Sequence, residues 1–302
     1  MVHSWLLETA APPPSLPPRR EMRGSSVAAV THQSSTLRVP AADVYRGVTQ
    51  RRVDRLDLAA GTRTGVPDDV ADEAALVVTA RGQAIATLMR TPGDDVALVR
   101  GLLFAEAGPA VAARAMTQAG PHQVDVDAAA ADLPARAVLA SAACGVCGRI
   151  EVAALEGRAR AVVADWQLPA AVIAAIPAAV RAEQPTFATT GGLHAAALCD
   201  RAGRVLAVAE DVGRHNAVDK LVGAAVAADA LPWRDRVLAL TGRAGYELLE
   251  KAVLAGAPVV VAVSAPSRLA IDVAERFGIT LCGFVRPPRL NVYSHGWRVV
   301  AP

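Results

Sequence analysis

The feature that most constrains this chain is a regular alternation of apolar strand patterns and helical patterns over its second half. "LPAAVIAAIPAAVRAE" has helical spacing, and Pro177 is expected to kink it, because proline removes a backbone donor and crowds the preceding turn. "LHAAALCDRAGRVLAVAED" reads as two strands joined at Ala202-Gly203, and "RHNAVDKLVGAAVAAD" as a helix. "RVLALTG" is a strand, "RAGYELLEKAVLAG" a helix stopped by Gly256, and "PVVVAVS" a strand. "SRLAIDVAERFG" is a helix capped by Ser267 and stopped by Gly278, ahead of the strand "ITLCGFV". The order α-β-β-α-β-α-β-α-β predicts an α/β three-layer sandwich, a largely parallel sheet with helices on both faces.

This larger unit is assigned to residues 166–302. Before it, "EAALVVTARGQAIATLM" predicts a hairpin turning at Arg81-Gly82. "TPGDDVALVRGLLFAEAG" predicts a helix with Asp94 or Asp95 in its capping turn and Gly108 as its stop, and "QVDVDA" a strand. These form a smaller α+β domain, 41–165. Residues 1–40, rich in Pro, Ser and Arg without periodicity, read as a disordered tail.

Net charge is only +2 on 302 residues, so no global field argues for nucleic acid or a membrane surface. The N-terminal run lacks a basic n-region and is broken by Glu8, and the longest apolar stretch, from Ala252 to Pro266, is too short to span a bilayer. A cytoplasmic protein is expected. Of 31 Lys plus Arg residues only Lys220 and Lys251 are lysines, so an individual arginine says little and the lysines say more.

In such a sheet, ligands gather beyond the carboxyl ends of the strands, where helix amino termini point their N–H groups outward. Three strand-to-helix junctions are unusually polar. "EDVGRHNAVDK" supplies Asp211, Gly213, Arg214, His215, Asn216 and Lys220; "TGRAGYELLEK" supplies Gly242, Arg243 and Lys251; "SAPSR" is the third. Any one of them could be ordinary helix capping. Together they predict a phosphorylated, nucleotide-like ligand, with lysine as a compact phosphate-seeking charge. "TTGGLHAAAL" adds Gly191, Gly192 and His194 to the same rim. Near the C-terminus, "FVRPPR" offers Arg286 and Arg289, or the N–H groups of Phe284, Val285 and Arg286, since Pro287 and Pro288 have none to give.

"SAACGVCGRI" places Cys144 and Cys147 three apart between glycines. A structural zinc site needs four ligands, normally as two spaced pairs, and here there is one pair. A zinc deaminase needs H-x-E ahead of P-C-x-x-C, and Ala143 replaces that proline. No metal is expected. A thioredoxin-like dithiol, a carrier of sulfane sulfur and two inert thiols stay open; the glycines favour a loop whose sulfur visits two partners. Cys199 and Cys282 sit in apolar strand contexts as small hydrophobes.

Taken in order, "MRTPGDDVALVRGLLFAEAG", "CGVCG", "TGGLHAAAL", "EDVGRHNAVDKLVG", "TGRAGYELLEKA", "SAPSRLAIDVAERFGITLCGFVR" and "NVYSH" resemble the formate dehydrogenase accessory sulfurtransferase (FdhD) family, over roughly Val44 to His295. The resemblance implies a protein that takes sulfur from a cysteine desulfurase. It implies delivery of that sulfur to the molybdenum of the bis-molybdopterin guanine dinucleotide cofactor, which activates formate dehydrogenase. It implies Cys144 as the persulfide-bearing residue with Cys147 as its partner, cofactor contact along Phe284–Arg289, a larger domain similar to cytidine deaminases without their metal ligands, and a homodimer. Two departures stand out: Ala107 and Pro288 occupy positions where the family often has glycine. The rival functions are a cofactor chaperone that carries no sulfur, and a dithiol oxidoreductase.

Overall fold

The computed structural model describes residues 47–133 and 152–301. The described residues open with Val48–Asp57 (β1) and Thr62–Ala71 (β2), an antiparallel hairpin with both faces largely exposed. Sequence reading missed it. Its few apolar residues are spread among charges that pair across the strands, as Arg55 does with Asp68 at 3.6 Å.

Ala74–Ala80 (β3) and Gln83–Arg90 (β4) form the expected hairpin, turning through Arg81 and Gly82, both at positive φ. Asp95–Ala107 (α1) follows, stopped by Gly108 at φ 89°, then Pro109–Ala112 (α2), Met116–Gly120 (β5) and Gln123–Val126 (β6). The sheet order is β4-β3-β6-β5. Neither aspartate caps α1 as expected. Asp94 is left-handed with no side-chain cap bond, and Asp95 instead makes a bidentate pair, 2.8 Å, with fully buried Arg90. A buried guanidinium must be neutralised, and that requirement takes the carboxylate from the helix end.

The second part comprises Val152–Glu156 (α3), Leu168–Pro169 (β7), Ala170–Ala182 (α4), Pro185–Thr190 (α5), His194–Cys199 (β8), Val205–Asp211 (β9) and Arg214–Ala227 (α6). Val237–Leu240 (β10), Tyr246–Leu254 (α7), Val259–Ala262 (β11), Arg268–Phe277 (α8), Thr280–Arg286 (β12), Arg289–Val292 (β13) and Val299–Val300 (β14) complete it. Pro177 lies inside a continuous α4. Ser267 caps α8, accepting from the Ala270 N–H at 3.2 Å, and Gly278 ends it in the left-handed conformation.

Six strands pair in the order β13-β12-β11-β10-β8-β9. The expectation of a largely parallel sheet needs correcting. β10–β11 and β11–β12 are parallel, whereas β8–β10, β8–β9 and β12–β13 are antiparallel. The short turns at Ala202-Gly203 and Pro287-Pro288 permit only hairpins, which fold β9 back on β8 and β13 back on β12. The chain is thus mixed α/β. One face of the sheet packs on α6, α7 and α8 through residues such as Leu238, Val260 and Leu281, and the other packs on Ile173, Ile176 and Val180 of α4.

Where α1 meets α6 the backbones touch. A Cβ on Gly101 would overlap the Asp219 carbonyl oxygen, and one on Gly223 would overlap the Ala97 carbonyl oxygen. Only glycine allows this approach, which presses the first sheet's helix onto the second's. No helix among the described residues is long and apolar enough to cross a membrane.

Candidate functional site: a basic rim on the larger sheet

Because β8 runs against both β10 and β9, the strands β9, β10, β11 and β12 all point the same way. Their carboxyl ends share one rim with the first residue of β8, His194, which pairs with Asp211. The three polar junctions meet there. Ala244 bridges Pro266, its N–H bonds the Ala265 carbonyl at 3.1 Å, and Phe284 N–H bonds the Ser264 carbonyl at 3.2 Å.

Four basic or imidazole side chains gather at the centre. The space where a Cβ of Gly242 would lie is 3.3 Å from the His194 ring and 3.8 Å from Arg214 Cδ, so the glycine leaves room for both. His194 titrates below its usual value, first because it is half-buried, then because Arg214, His215 and Arg243 place positive charge around it. His215 Nε2 lies 2.9 Å from the Glu247 carboxylate, and that hydrogen bond holds Glu247 below the usual carboxylate range. Arg214 Nε is buried with no partner among the described residues. Neutral His194, His215 beside its carboxylate, Arg214 and exposed Arg243 give a patch suited to an oxyanion.

Both lysines depart from expectation. Lys220 is buried, 2.8 Å from the Asp211 carboxylate, and donates to the carbonyls of Thr91 and Glu210. Lys251 is buried against both oxygens of Asp219 at 2.5 Å. A compact ammonium taken out of water requires a counter-ion, and the protein supplies its own. Asp211 and Asn216 belong to the same frame. Asp211 also accepts from the N–H groups of Thr91 and Gly213 and from Asn216, whose amide donates onward to the Met89 carbonyl. This polar lock fastens the end of β4 to the rim. Thr91 and Glu247 escaped sequence reading; Thr91 sits in "MRTPGDD" and Glu247 one turn before Lys251, and neither pattern differs from ordinary helix-end chemistry.

The remaining candidates divide. Gly191 ends α5 at φ 66°, and Gly192 packs against Ala71 at the base of the β1–β2 hairpin. Along Phe284–Arg289, Val285 is fully buried in the core, so its side chain cannot reach a ligand. Phe284, Arg286 and Arg289 are exposed, with Pro287 and Pro288 forming the turn. Phe284 holds φ 50°, unusual for an aromatic residue and the product of the β12 bulge. Cys199 and Cys282 are buried, and loss of water pushes both thiols up to about 12. Cys144 and Cys147 lie outside the described residues.

A model of the FdhD/NarQ family matches residues 71–300. The chain belongs to the FdhD/NarQ family. It is 45% identical over 257 residues to the "Sulfur carrier protein FdhD" of Anaeromyxobacter dehalogenans strain 2CP-C, covering 78% of this chain and 89% of that one. It is 42% identical over 273 residues to the protein of the same name from Streptomyces avermitilis, covering 83% and 96%. A crystal structure of a putative formate dehydrogenase accessory protein from Desulfotalea psychrophila shares the fold at a TM-score of 0.67 and 24% identity, covering 84% of this chain and 99% of that one. The FdhD/NarQ match begins at Ala71, the last residue of β2, so all of the β1–β2 hairpin but that residue precedes it.

Proposed function

We propose that this protein is a sulfur carrier that serves formate dehydrogenase. The Cys144 thiolate attacks the terminal sulfur of a cysteine desulfurase persulfide, forming Cys144–S–SH and releasing the desulfurase thiolate. Attack of the Cys147 thiolate on the Cys144 sulfur would then free hydrosulfide for the molybdenum of the bis-molybdopterin guanine dinucleotide cofactor, here a substrate. In that step the bond from the Cys144 sulfur to the terminal sulfur breaks as the Cys144–Cys147 disulfide forms, and the terminal sulfur leaves reduced, as hydrosulfide.

The observation that carries this reading is the 45% identity to a protein named as a sulfur carrier, over most of both chains. The rim supports its cofactor half: His194, Arg214, His215 and Arg243 around Gly242, with Arg286 and Arg289 beside them, offer charge to the guanine dinucleotide phosphates, while Gly191, Gly192, Gly213 and Phe284, whose N–H groups already bond within the protein, shape the surface rather than donate to it. Asp211, Asn216, Lys220 and Lys251 serve as the frame behind that surface. The order β9-β8-β10-β11-β12, helices on both faces, supports kinship with cytidine deaminases.

The test is maturation of formate dehydrogenase in cells lacking the native gene. Cys144→Ala is expected to leave the enzyme inactive, and full activity would favour a chaperone that carries no sulfur. For the rim, titration with guanosine diphosphate should weaken at least about tenfold in Arg214→Ser/Arg243→Ser, the loss of one or more charge-assisted bonds. Unchanged affinity would remove the rim from the account.

A further inference from the structure

At the other end of the sheet, where β10 and β11 begin, lies a cavity of about 320 Å³ that the rim does not explain. Three segments wall it. The first, 158–163, is held by the Val162 N–H on the Phe277 carbonyl at 2.7 Å. The second is the approach to β10, where the backbone N–H of buried Trp233 donates to the Ala255 carbonyl at 2.8 Å. The third is the end of α7, where Gly256 takes φ 72° and a Cβ would come 2.6 Å from Pro232. These anchors make the walls part of the fold.

The lining is chemically one-sided. Arg158, Arg160 and Arg234 face the cavity with Val162, Pro232, Val253 and Leu254, and no carboxylate is among the lining residues. Arg158 is compensated by Glu250 at 3.0 Å and by the Ala105 carbonyl. Among the described residues, no carboxylate lies within ion-pair distance of Arg160 or Arg234. The N–H groups of Arg160, Ala161 and Val163 have no acceptor among the described residues. Arg160 and Arg234 are exposed and line the same cavity, so an anion bound between them would be attracted to both guanidinium groups. The volume lies within the range of small-molecule sites, and the planar arginine fork matches phosphate or carboxylate oxygens.

We propose that this cavity is a second oxyanion site, separate from the rim, for a small molecule carrying a phosphate or carboxylate on an apolar body. Arg160 and Arg234 hold the anionic group, and Val162, Val253, Leu254 and Pro232 cover the remainder. The proposal does not depend on the sulfur-carrier reading.

The experiment is calorimetric titration of the full chain at fixed ionic strength, with inorganic pyrophosphate in one arm and malonate in the other. Four proteins are compared: wild type, Arg160→Ser/Arg234→Ser, Arg214→Ser/Arg243→Ser, and Arg234→Ser alone in case the first double variant does not fold. Saturable binding of either anion that survives the rim substitutions, and weakens at least tenfold in the cavity variants, is the expected result. The arm that binds tells phosphate from carboxylate. Absence of saturable binding in the rim variant overturns the proposal. So does equal binding by the cavity variants, and the arginines would then serve only the carbonyl-rich end of α7.

Discussion

Lys220→Met distinguishes a lock from a ligand contact. The Lys220 side chain is 3% exposed and the Asp211 side chain 0% exposed, with 2.8 Å between their charges. Removing the ammonium leaves a buried carboxylate that keeps three N–H donors, from Thr91, Gly213 and Asn216, and loses its one ion-pair partner among the described residues. Breaking a buried pair from one side costs about 3–5 kcal/mol. The surviving donors place this case near the lower end, about 3 kcal/mol. For a chain of this size that corresponds to a fall of roughly 5–6 °C in Tm. Adding Asp211→Asn should restore part of the loss, with a coupling of about 1–3 kcal/mol across the double-mutant cycle. Urea and thermal unfolding followed by circular dichroism read both quantities. A Lys220→Met protein within about 0.5 kcal/mol of wild type that had lost anion binding would refute the lock and return Lys220 to the ligand.

Gly101→Ala and Gly223→Ala should each destabilise by about 1–3 kcal/mol or more, because the new methyl meets backbone that cannot step aside; Gly245→Ala, with open space around it, is the control, and equal effects in all three would contradict the contact. His194 should show an imidazole NMR titration midpoint below 6.5. Between that midpoint and 6.5 the unfolded chain binds more protons than the folded one, so His194's contribution to stability is present above 6.5 and is lost as pH falls through this window; a midpoint at or above 6.5 would contradict its half-burial and the positive charge that Arg214, His215 and Arg243 place around it. Cys199 and Cys282 should resist iodoacetamide at pH 8 in the native protein and react once it is unfolded, since their thiols are pushed up to about 12; native labelling of either would mean the strand cores open.

Period and punctuation made much of the fold legible. α8 carries its own start and stop in Ser267 and Gly278, and Arg81-Gly82 announces its hairpin. Strand direction was harder, because continuous apolar runs such as "AAAL" look alike in either direction; the turn at Ala202-Gly203 was legible, whereas Arg289–Val292 was not read as a strand, and the structure folds both β9 and β13 back. The rim's location followed from those directions. Its partition did not: lysine suggests phosphate in a sequence, and only burial beside Asp211 and Asp219 shows that Lys220 and Lys251 are already neutralised. The β1–β2 hairpin stayed hidden because it has no apolar face to set a period.

The central claim is that Cys144 carries sulfur, and intact-protein mass spectrometry after incubation with a cysteine desulfurase and cysteine tests it most directly. The account predicts a reductant-sensitive gain of one sulfur in Cys147→Ala, where no second thiolate resolves the persulfide, its absence in Cys144→Ala, and in wild type either that gain or the Cys144–Cys147 disulfide that follows it. Cys147→Ala that gains no sulfur, while still binding guanosine diphosphate, would contradict it.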